Sequence, residues 1–224
     1  MATTTDHPAA SRRRVNGKVE SAPAPGRLRL PVRCVGIVVL AWPQADEIGH
    51  DAMRAVTAAL ATRGLGTLTL APSGATQELG AADAADLVPQ VRRLIQALDW
   101  LAGEQCLAAW PVGLLGAGAG AAAALAAAAE RAQRVAAVVS LAGRPDLAAD
   151  CLARVEAATL LVVGAADPAL ERINRDAWRR LRGSRRLETL PTEHWLLDEP
   201  VAWAGACALG ARWLERHLGR ALAI

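Results

Sequence analysis

The sequence contains no phenylalanine and no tyrosine, so its seven tryptophans are the only aromatic residues. Lysine is almost as rare: Lys18 is the single lysine, and arginine supplies the remaining positive charge. The formal net charge is only +3, and the arginines are scattered apart from Arg12–Arg14 and a group between Arg179 and Arg186. A nucleic-acid interface usually carries basic and aromatic residues interleaved on one surface. The composition therefore predicts no nucleic-acid partner.

Cysteine is also scarce, and the four cysteines lie far apart, at Cys34, Cys106, Cys151 and Cys207. This spacing contains neither a C-x-x-C pair nor the Cys/His pattern of a metal site. We therefore expect buried free thiols, no metal and no other cofactor. The N-terminus also lacks the apolar segment of a secretory signal, since the first apolar run begins at Val35. Together these features predict a cytoplasmic protein.

The first part of the chain differs in composition from the rest. Residues 1–25 are rich in Ala, Thr, Ser, Pro and Arg without periodicity, which predicts a flexible tail with a short edge strand near Val15–Val19. The remainder, 26–224, is long enough and apolar enough, with 53% hydrophobic residues in the whole chain, to form one domain with a sizeable core.

Short apolar runs alternate with segments of helical periodicity along this domain. Strands are predicted at Arg27–Leu30, Val35–Leu40, Thr67–Leu70, Val112–Leu115, Val135–Ser140, Thr159–Val163 and Leu187–Leu190. Helices are predicted at Ala52–Arg63, Ala85–Leu101, Leu170–Leu181 and Val201–Leu218, with an alanine-rich helix after the central strand. The alternation predicts an α/β fold: a mostly parallel sheet with helices on both faces, in a three-layer sandwich.

The stretch Leu107–Ala129 carries no charge and is long enough for a membrane span. Pro111 and the clustered glycines divide it into a strand and a helix, however, so no membrane segment is predicted. Gly116–Ala121 also fits the dinucleotide motif G-x-G-x-x-G/A. That motif usually lies at the start of its domain, and the next strand ends in an acidic residue. Here strands and helices precede the motif and the next strand ends at Ser140, so the context does not favour a dinucleotide site.

The third interpretation is the nucleophile elbow G-x-S-x-G, in which a sharp turn between strand and helix presents the nucleophile. Gly116 and Gly120 occupy the two outer positions, where a close crossing of helix and strand leaves no room for side chains. The central position is occupied by Gly118, which has no side chain. The expected local structure is therefore an elbow without a nucleophile.

Functional residues of parallel sheets follow the carboxyl ends of the strands. The residues at those positions are Trp42, Gly118, Ser140, Asp167 and His194. An elbow, then an acid, then a histidine is the order of the α/β-hydrolase triad, in which the acid orients the histidine and the histidine moves the proton. We therefore expect a contact between Asp167 and His194.

From about Arg27 to Leu218 the sequence resembles the dienelactone hydrolase-like branch of the α/β-hydrolase superfamily. The resemblance is carried by the segments GLLGAGAGAAAALAAAAERAQRVAAVVSLAGRPDL, LLVVGAADP and LETLPTEHWLLDEP. It implies that Asp167 is the triad acid, that His194 is the triad histidine, and that the backbone N–H of Ala119 belongs to the oxyanion hole. It also implies Ser or Cys where this chain has Gly118, and His-Gly where it has Ala41-Trp42.

Both departures affect the attack on the substrate and the stabilisation of the tetrahedral intermediate. Loss of a triad serine alone typically costs on the order of 10⁶ in turnover. We therefore predict a hydrolase-fold protein that binds a small ligand or a protein partner without standard hydrolysis. The alternative is an active ester or lactone hydrolase in which His194 and Asp167 activate water or Ser140.

Two of these residues have simpler interpretations as well. Asp167 precedes Pro168, a common start of a helix, so its carboxylate can cap that helix. Trp42 can fill the pocket that the substrate of a hydrolase would occupy, or can stack on a ligand there.

Overall fold

A computed structural model of the chain describes residues 17–19, 26–42, 47–70 and 84–221. The strands in these ranges are Gly17–Val19 (β1), Gly26–Arg29 (β2), Gly36–Ala41 (β3), Leu65–Leu70 (β4), Val112–Ala117 (β5), Val135–Leu141 (β6), Ala158–Gly164 (β7) and Arg185–Leu190 (β8). The α-helices are Glu47–Thr62 (α1), Ala84–Gly103 (α2), Ala119–Glu130 (α3), Pro168–Arg180 (α4) and Pro200–Ala221 (α5). Two 3₁₀ segments, Pro145–Arg154 and Leu196–Asp198, complete the regular structure.

The strands form one sheet in the order β1-β2-β4-β3-β5-β6-β7-β8. β1 and β2 are antiparallel to their neighbours, and all pairings from β4 to β8 are parallel. One face of the sheet packs against α2, α3 and Ala177 of α4. The other face packs against α1, α5 and Leu170 at the start of α4. The predicted three-layer α/β fold is confirmed.

The alanine-rich segment forms α3, which is buried almost all round. Alanine side chains are small, so α3 can lie close to β5 while α2 and the 3₁₀ segment Pro145–Arg154 flank it. Within the described ranges, no helix has both the length and the apolar character needed to cross a membrane.

Several boundaries differ from the predicted ones. β5 continues to Ala117 because Gly116 and Ala117 pair with Ser140 and Leu141 of β6, so the turn consists of Gly118 alone. β8 begins at Arg185, since Arg185 and Arg186 lie in register with Thr159 and Leu160 of β7 although their exposed side chains give no apolar signal. The 3₁₀ segment Pro145–Arg154 was not predicted.

Only a small part of the predicted N-terminal tail falls within the described residues. β1, at Gly17–Val19, pairs antiparallel with β2 and lies where a short edge strand was expected. Residues 1–16 and 20–25 of the predicted flexible tail lie outside the described residues.

The prediction of four buried thiols is wrong for two of them. Cys151 and Cys207 are buried, but Cys34 is only half-buried and Cys106 is exposed. All four are free thiols. Burial raises the pKa of Cys207 to about 12, so this thiol stays protonated and unreactive at neutral pH.

Candidate functional site

The turn between β5 and α3 has the backbone conformation of an elbow. Gly118 has φ 53° and ψ −128°, a region with positive φ that residues with a Cβ atom rarely adopt. Its carbonyl oxygen accepts hydrogen bonds from the backbone N–H of Ala121 (3.2 Å) and of Arg144 (3.0 Å). The loop after β6 therefore holds the elbow in place.

The glycine on the strand side is required by a close approach of backbones. A Cβ atom on Gly116 would lie 2.5 Å from the carbonyl oxygen of Gly120 and 2.6 Å from the nitrogen of Ala121. α3 therefore begins directly over the end of β5, at Ala119. The first backbone N–H groups of a helix have no partner within it, and this is the position expected of an oxyanion hole.

Trp42 follows β3, the strand next to the elbow, where Ala41 pairs with Gly116. Its ring meets Trp203 of α5 edge to face, with centroids 5.7 Å apart. The Trp203 Nε1–H donates to the carbonyl oxygen of Ala52 in α1 (3.2 Å). Trp42 is thereby packed against α5, and its own buried Nε1–H has no hydrogen-bond partner among the described residues.

Ser140 lies on β6 opposite Gly116, one strand away from the elbow. Its side chain is 0% exposed, and its hydroxyl has no hydrogen-bond partner in the described structure. A Cβ atom on Gly143 would lie only 2.0 Å from the Ser140 Oγ, so the loop after β6 closes over the hydroxyl. A substrate has no access to this group as it stands.

Asp167 and His194 both follow the carboxyl ends of strands, β7 and β8 respectively, but they have different partners. The Asp167 carboxylate accepts from the backbone N–H of Leu170 (2.9 Å) and so caps α4. His194 is exposed, and its backbone N–H, like that of Glu193, donates to Glu199 (2.6 Å each). Within the described part of the chain, no hydrogen bond joins the Asp167 carboxylate to the His194 imidazole. The expected relay contact is not formed in this structure.

The capping role of Asp167 can be separated from a relay role. Asp167→Ala is expected to lower the free energy of unfolding by about 1 kcal/mol, because the first turn of α4 loses its acceptor. Asp167→Asn should leave stability within a few tenths of a kcal/mol of the parent, since asparagine is an equally good N-cap. Urea denaturation measures both. Equal destabilisation by the two variants would show that the negative charge, and not the cap, is what matters.

The sequence analysis missed a buried amide behind the elbow. Asn174 of α4 is 0% exposed, and its Nδ2 donates to the carbonyl oxygens of Gly143 (2.9 Å) and Leu170 (3.0 Å). It ties α4 to the loop that holds Gly118. A signal was present: Asn174 is a polar residue on the apolar stripe of its helix, four positions after Leu170 and three before Ala177.

Arg144 was also missed, although it lies in the GRPDL segment. Its guanidinium forms two hydrogen bonds with the Asp146 carboxylate (2.9 and 2.7 Å). These bonds hold the pKa of Asp146 below its usual value and raise that of Arg144. The pair stiffens the loop whose backbone N–H supports the elbow. No cluster of side chains able to hold a metal ion is found among the described residues.

No family model matches the sequence. Two sequences from strains of Mycobacterium tuberculosis, both named "Putative phosphoribosyl transferase", are 36% identical over 196 residues, which is 88% of this chain. The chain spans only 44% of the length of these relatives.

Solved structures match over nearly their whole length. TT1662 from Thermus thermophilus has a TM-score of 0.69 at 14% identity and matches over 91% of this chain and 97% of its own. Est1E from Butyrivibrio proteoclasticus has a TM-score of 0.66 at 12% identity, over 89% and 95%. At these identities the two structures show the fold alone. The crystal structure of dienelactone hydrolase from Anabaena variabilis superposes with a TM-score of 0.77 at 32% identity, over 90% of this chain and 96% of its own. The chain therefore belongs to the dienelactone hydrolase family of the α/β-hydrolase superfamily.

Proposed function

We propose that this member of the family binds a small ligand or a protein partner at the carboxyl edge of the sheet and does not carry out standard ester hydrolysis. The observation that carries the proposal is Gly118. It keeps the positive φ of an elbow, at 53°, while offering no atom that could attack a carbonyl carbon.

The surrounding residues support the same proposal. Asp167 caps α4 and is not bonded to His194, so the imidazole lacks the partner that would fix its tautomer. Trp42 stands where the family has its oxyanion loop and is packed against Trp203. The hydroxyl of Ser140, which lies on β6 opposite Gly116, is fully buried. All three features support a role in binding over a role in acyl transfer.

The named relatives are compatible with a binding role. In the M. tuberculosis proteins, which are named as phosphoribosyl transferases, the matched region makes up less than half of the chain. A domain of this kind can bind a ligand or a neighbouring domain without any hydrolysis of its own.

The test is hydrolysis of 4-nitrophenyl acetate by the parent, Gly118→Ser, His194→Ala and Gly118→Ser/His194→Ala. We expect the parent and His194→Ala to have the same rate. Gly118→Ser alone should gain less than about tenfold, because a serine without an oriented histidine is a weak nucleophile. The double variant shows how much of any gain depends on His194.

One outcome would contradict the proposal, and a second would correct only the description of the relay. If the parent turns over the ester and His194→Ala abolishes the activity, the protein is an ester or lactone hydrolase in which His194 and Asp167 activate water or Ser140. If Gly118→Ser gains about a thousandfold or more, and the gain is lost in the double variant, the relay is already assembled and the separation of Asp167 from His194 is wrong.

A further inference from the structure

The last strand of the sheet has an open edge. β8 pairs with β7 on one side only, and it ends the strand order of the described sheet. The carbonyl oxygens of Ser184 and Leu190 accept from backbone N–H groups at the ends of β7, so residues with even numbers direct their backbone groups towards β7. Backbone direction alternates along a strand. The N–H and C=O groups of Arg185, Leu187 and Thr189 therefore point to the open edge.

A groove borders β8 on each face of the sheet. On the α4 face, Arg185 and Leu187 line a groove of about 400 Å³ together with Trp178, whose side chain is 37% exposed. On the α5 face, a groove of about 320 Å³ has Leu209 and Trp213 among its lining residues. Both grooves have apolar side chains in their walls, so an added strand would find apolar surface on either side.

The segment that carries this edge is strongly basic. From position 168 to position 190 the sequence has seven arginines and three carboxylates, whereas the whole chain has a net charge of only +3. Each of the three carboxylates already pairs with an arginine: Glu171 with Arg175, Asp176 with Arg179, and Glu188 with Arg186.

Other arginines at the edge remain uncompensated. Among the described residues, no carboxylate pairs with Arg185, nor with Arg212 and Arg216, which line the groove on the α5 face. Three positive charges are thus left unpaired, one on one side of the open strand and two on the other.

We propose that the β8 edge is a docking site for an extended acidic polypeptide segment, which adds to the sheet as a further strand. The outward backbone groups of Arg185, Leu187 and Thr189 would pair with the segment, and its carboxylates would meet Arg185, Arg212 and Arg216. This surface lies along the edge of the sheet and is independent of the proposed function at the elbow.

Charge disfavours a second copy of the chain at this edge, and an already covered aromatic ring disfavours nucleic acid. A second copy of the chain would bring one arginine-rich segment against another, and like charges at short distance repel. Single-stranded nucleic acid binds by stacking its bases on open aromatic faces. The guanidinium of Arg185 already covers the ring of Trp178 at 5.0 Å from its centroid. An acidic peptide needs only the charges and the backbone groups that are free.

The probe is a fluorescein-labelled Glu/Val peptide of about eight residues with the repeat Glu-Glu-Val-Val, which places carboxylates on both faces of an extended strand. Its binding to the full chain is measured by fluorescence anisotropy, beside a Lys/Val peptide of the same length and labelled oligodeoxythymidine. We expect the Glu/Val peptide to bind and the Lys/Val peptide not to bind. Raising NaCl from about 0.1 M to about 1 M, which shortens the screening length from roughly 10 Å to 3 Å, should weaken the complex.

Two pairs of variants separate charge from strand addition. Arg212→Glu should weaken binding about tenfold, whereas Arg92→Glu, the same change at an exposed site on α2, should not. Thr189→Pro removes an outward N–H without removing a bond to β7 and should abolish binding, whereas Thr189→Val should not. Circular dichroism and thermal unfolding check that each variant is folded.

Three results would overturn the proposal. The first is that neither peptide binds. The second is that Thr189→Pro binds the Glu/Val peptide as well as Thr189→Val does, since the contact would then not involve the strand edge. The third is that oligodeoxythymidine binds more tightly than the acidic peptide and is insensitive to Thr189→Pro, which would identify a surface for a phosphate polymer.

Discussion

Replacing Gly116 by alanine is expected to lower the free energy of unfolding by about 3 kcal/mol. The new Cβ atom would lie 2.5 Å from the Gly120 carbonyl oxygen and 2.6 Å from the Ala121 nitrogen. Both atoms belong to the backbone of α3, so no side-chain rotation can relieve the contact. α3 would have to move away from β5, and that movement would open the closely packed layer of alanines around it. The midpoint and slope of urea denaturation measure the effect.

Gly205→Ala is the matched control for this substitution. Gly205 lies in α5, is exposed, and has nothing within 4 Å of the position of a Cβ atom. Alanine at this helical site should raise the free energy of unfolding by about 0.5–1 kcal/mol, because the unfolded chain loses conformational freedom. If Gly116→Ala unfolds at the same urea concentration as the parent, the close crossing of α3 over β5 is incorrect.

Trp203→Ala is expected to destabilise the protein by about 3–5 kcal/mol. The indole is only 3% exposed, packs edge to face against Trp42, and donates to the carbonyl oxygen of Ala52. Its removal would leave a cavity between α1 and α5 and would take away the surface on which Trp42 rests. Thermal unfolding measures the loss of stability.

Trp178→Ala provides the comparison at a surface site. Trp178 is 37% exposed on α4 and contacts the guanidinium of Arg185. Its removal should cost about 1–2 kcal/mol, less than that of Trp203, since more than a third of its surface stays exposed and its cation–π contact lies at the surface. If the two tryptophan variants are equally stable, the packing of Trp203 between α1 and α5 is not as described.

Residues that act through their backbones were predictable from the sequence. The glycines at 116, 118 and 120 indicate a turn with a positive φ and a close crossing of helix and strand, because no other residue tolerates either feature as well. The structure has a turn of this kind at Gly118. The prediction gave the turn three glycines, whereas in the structure only Gly118 lies between β5 and α3. The order of strands and helices was predictable for the same kind of reason, since each apolar run must bury its own faces.

Residues that act through partners distant in sequence were not predictable in the same way. Asp167 and His194 were correctly expected after the ends of β7 and β8, yet the hydrogen bonds that each forms depend on loop geometry. Capping of α4 competes with the long-range contact to His194 for the Asp167 carboxylate. In this structure the carboxylate accepts from the backbone N–H of Leu170 and so caps α4. The edge-to-face contact of Trp42 with Trp203 joins residues 161 positions apart, and nothing local to either residue indicates it.

The sequence by itself determined the fold class, the position of the tight turn between β5 and α3, and the lack of a side chain at its centre. These follow from hydrophobic periodicity and from the presence or absence of a side chain, which are properties of the chain read locally. Only the tertiary structure decided that Asp167 caps α4, that Trp42 is packed against Trp203, and that the arginines after position 168 flank an open strand edge. Those outcomes depend on which elements become neighbours in the sheet and on competition between alternative partners, and neither is encoded in any short stretch of sequence.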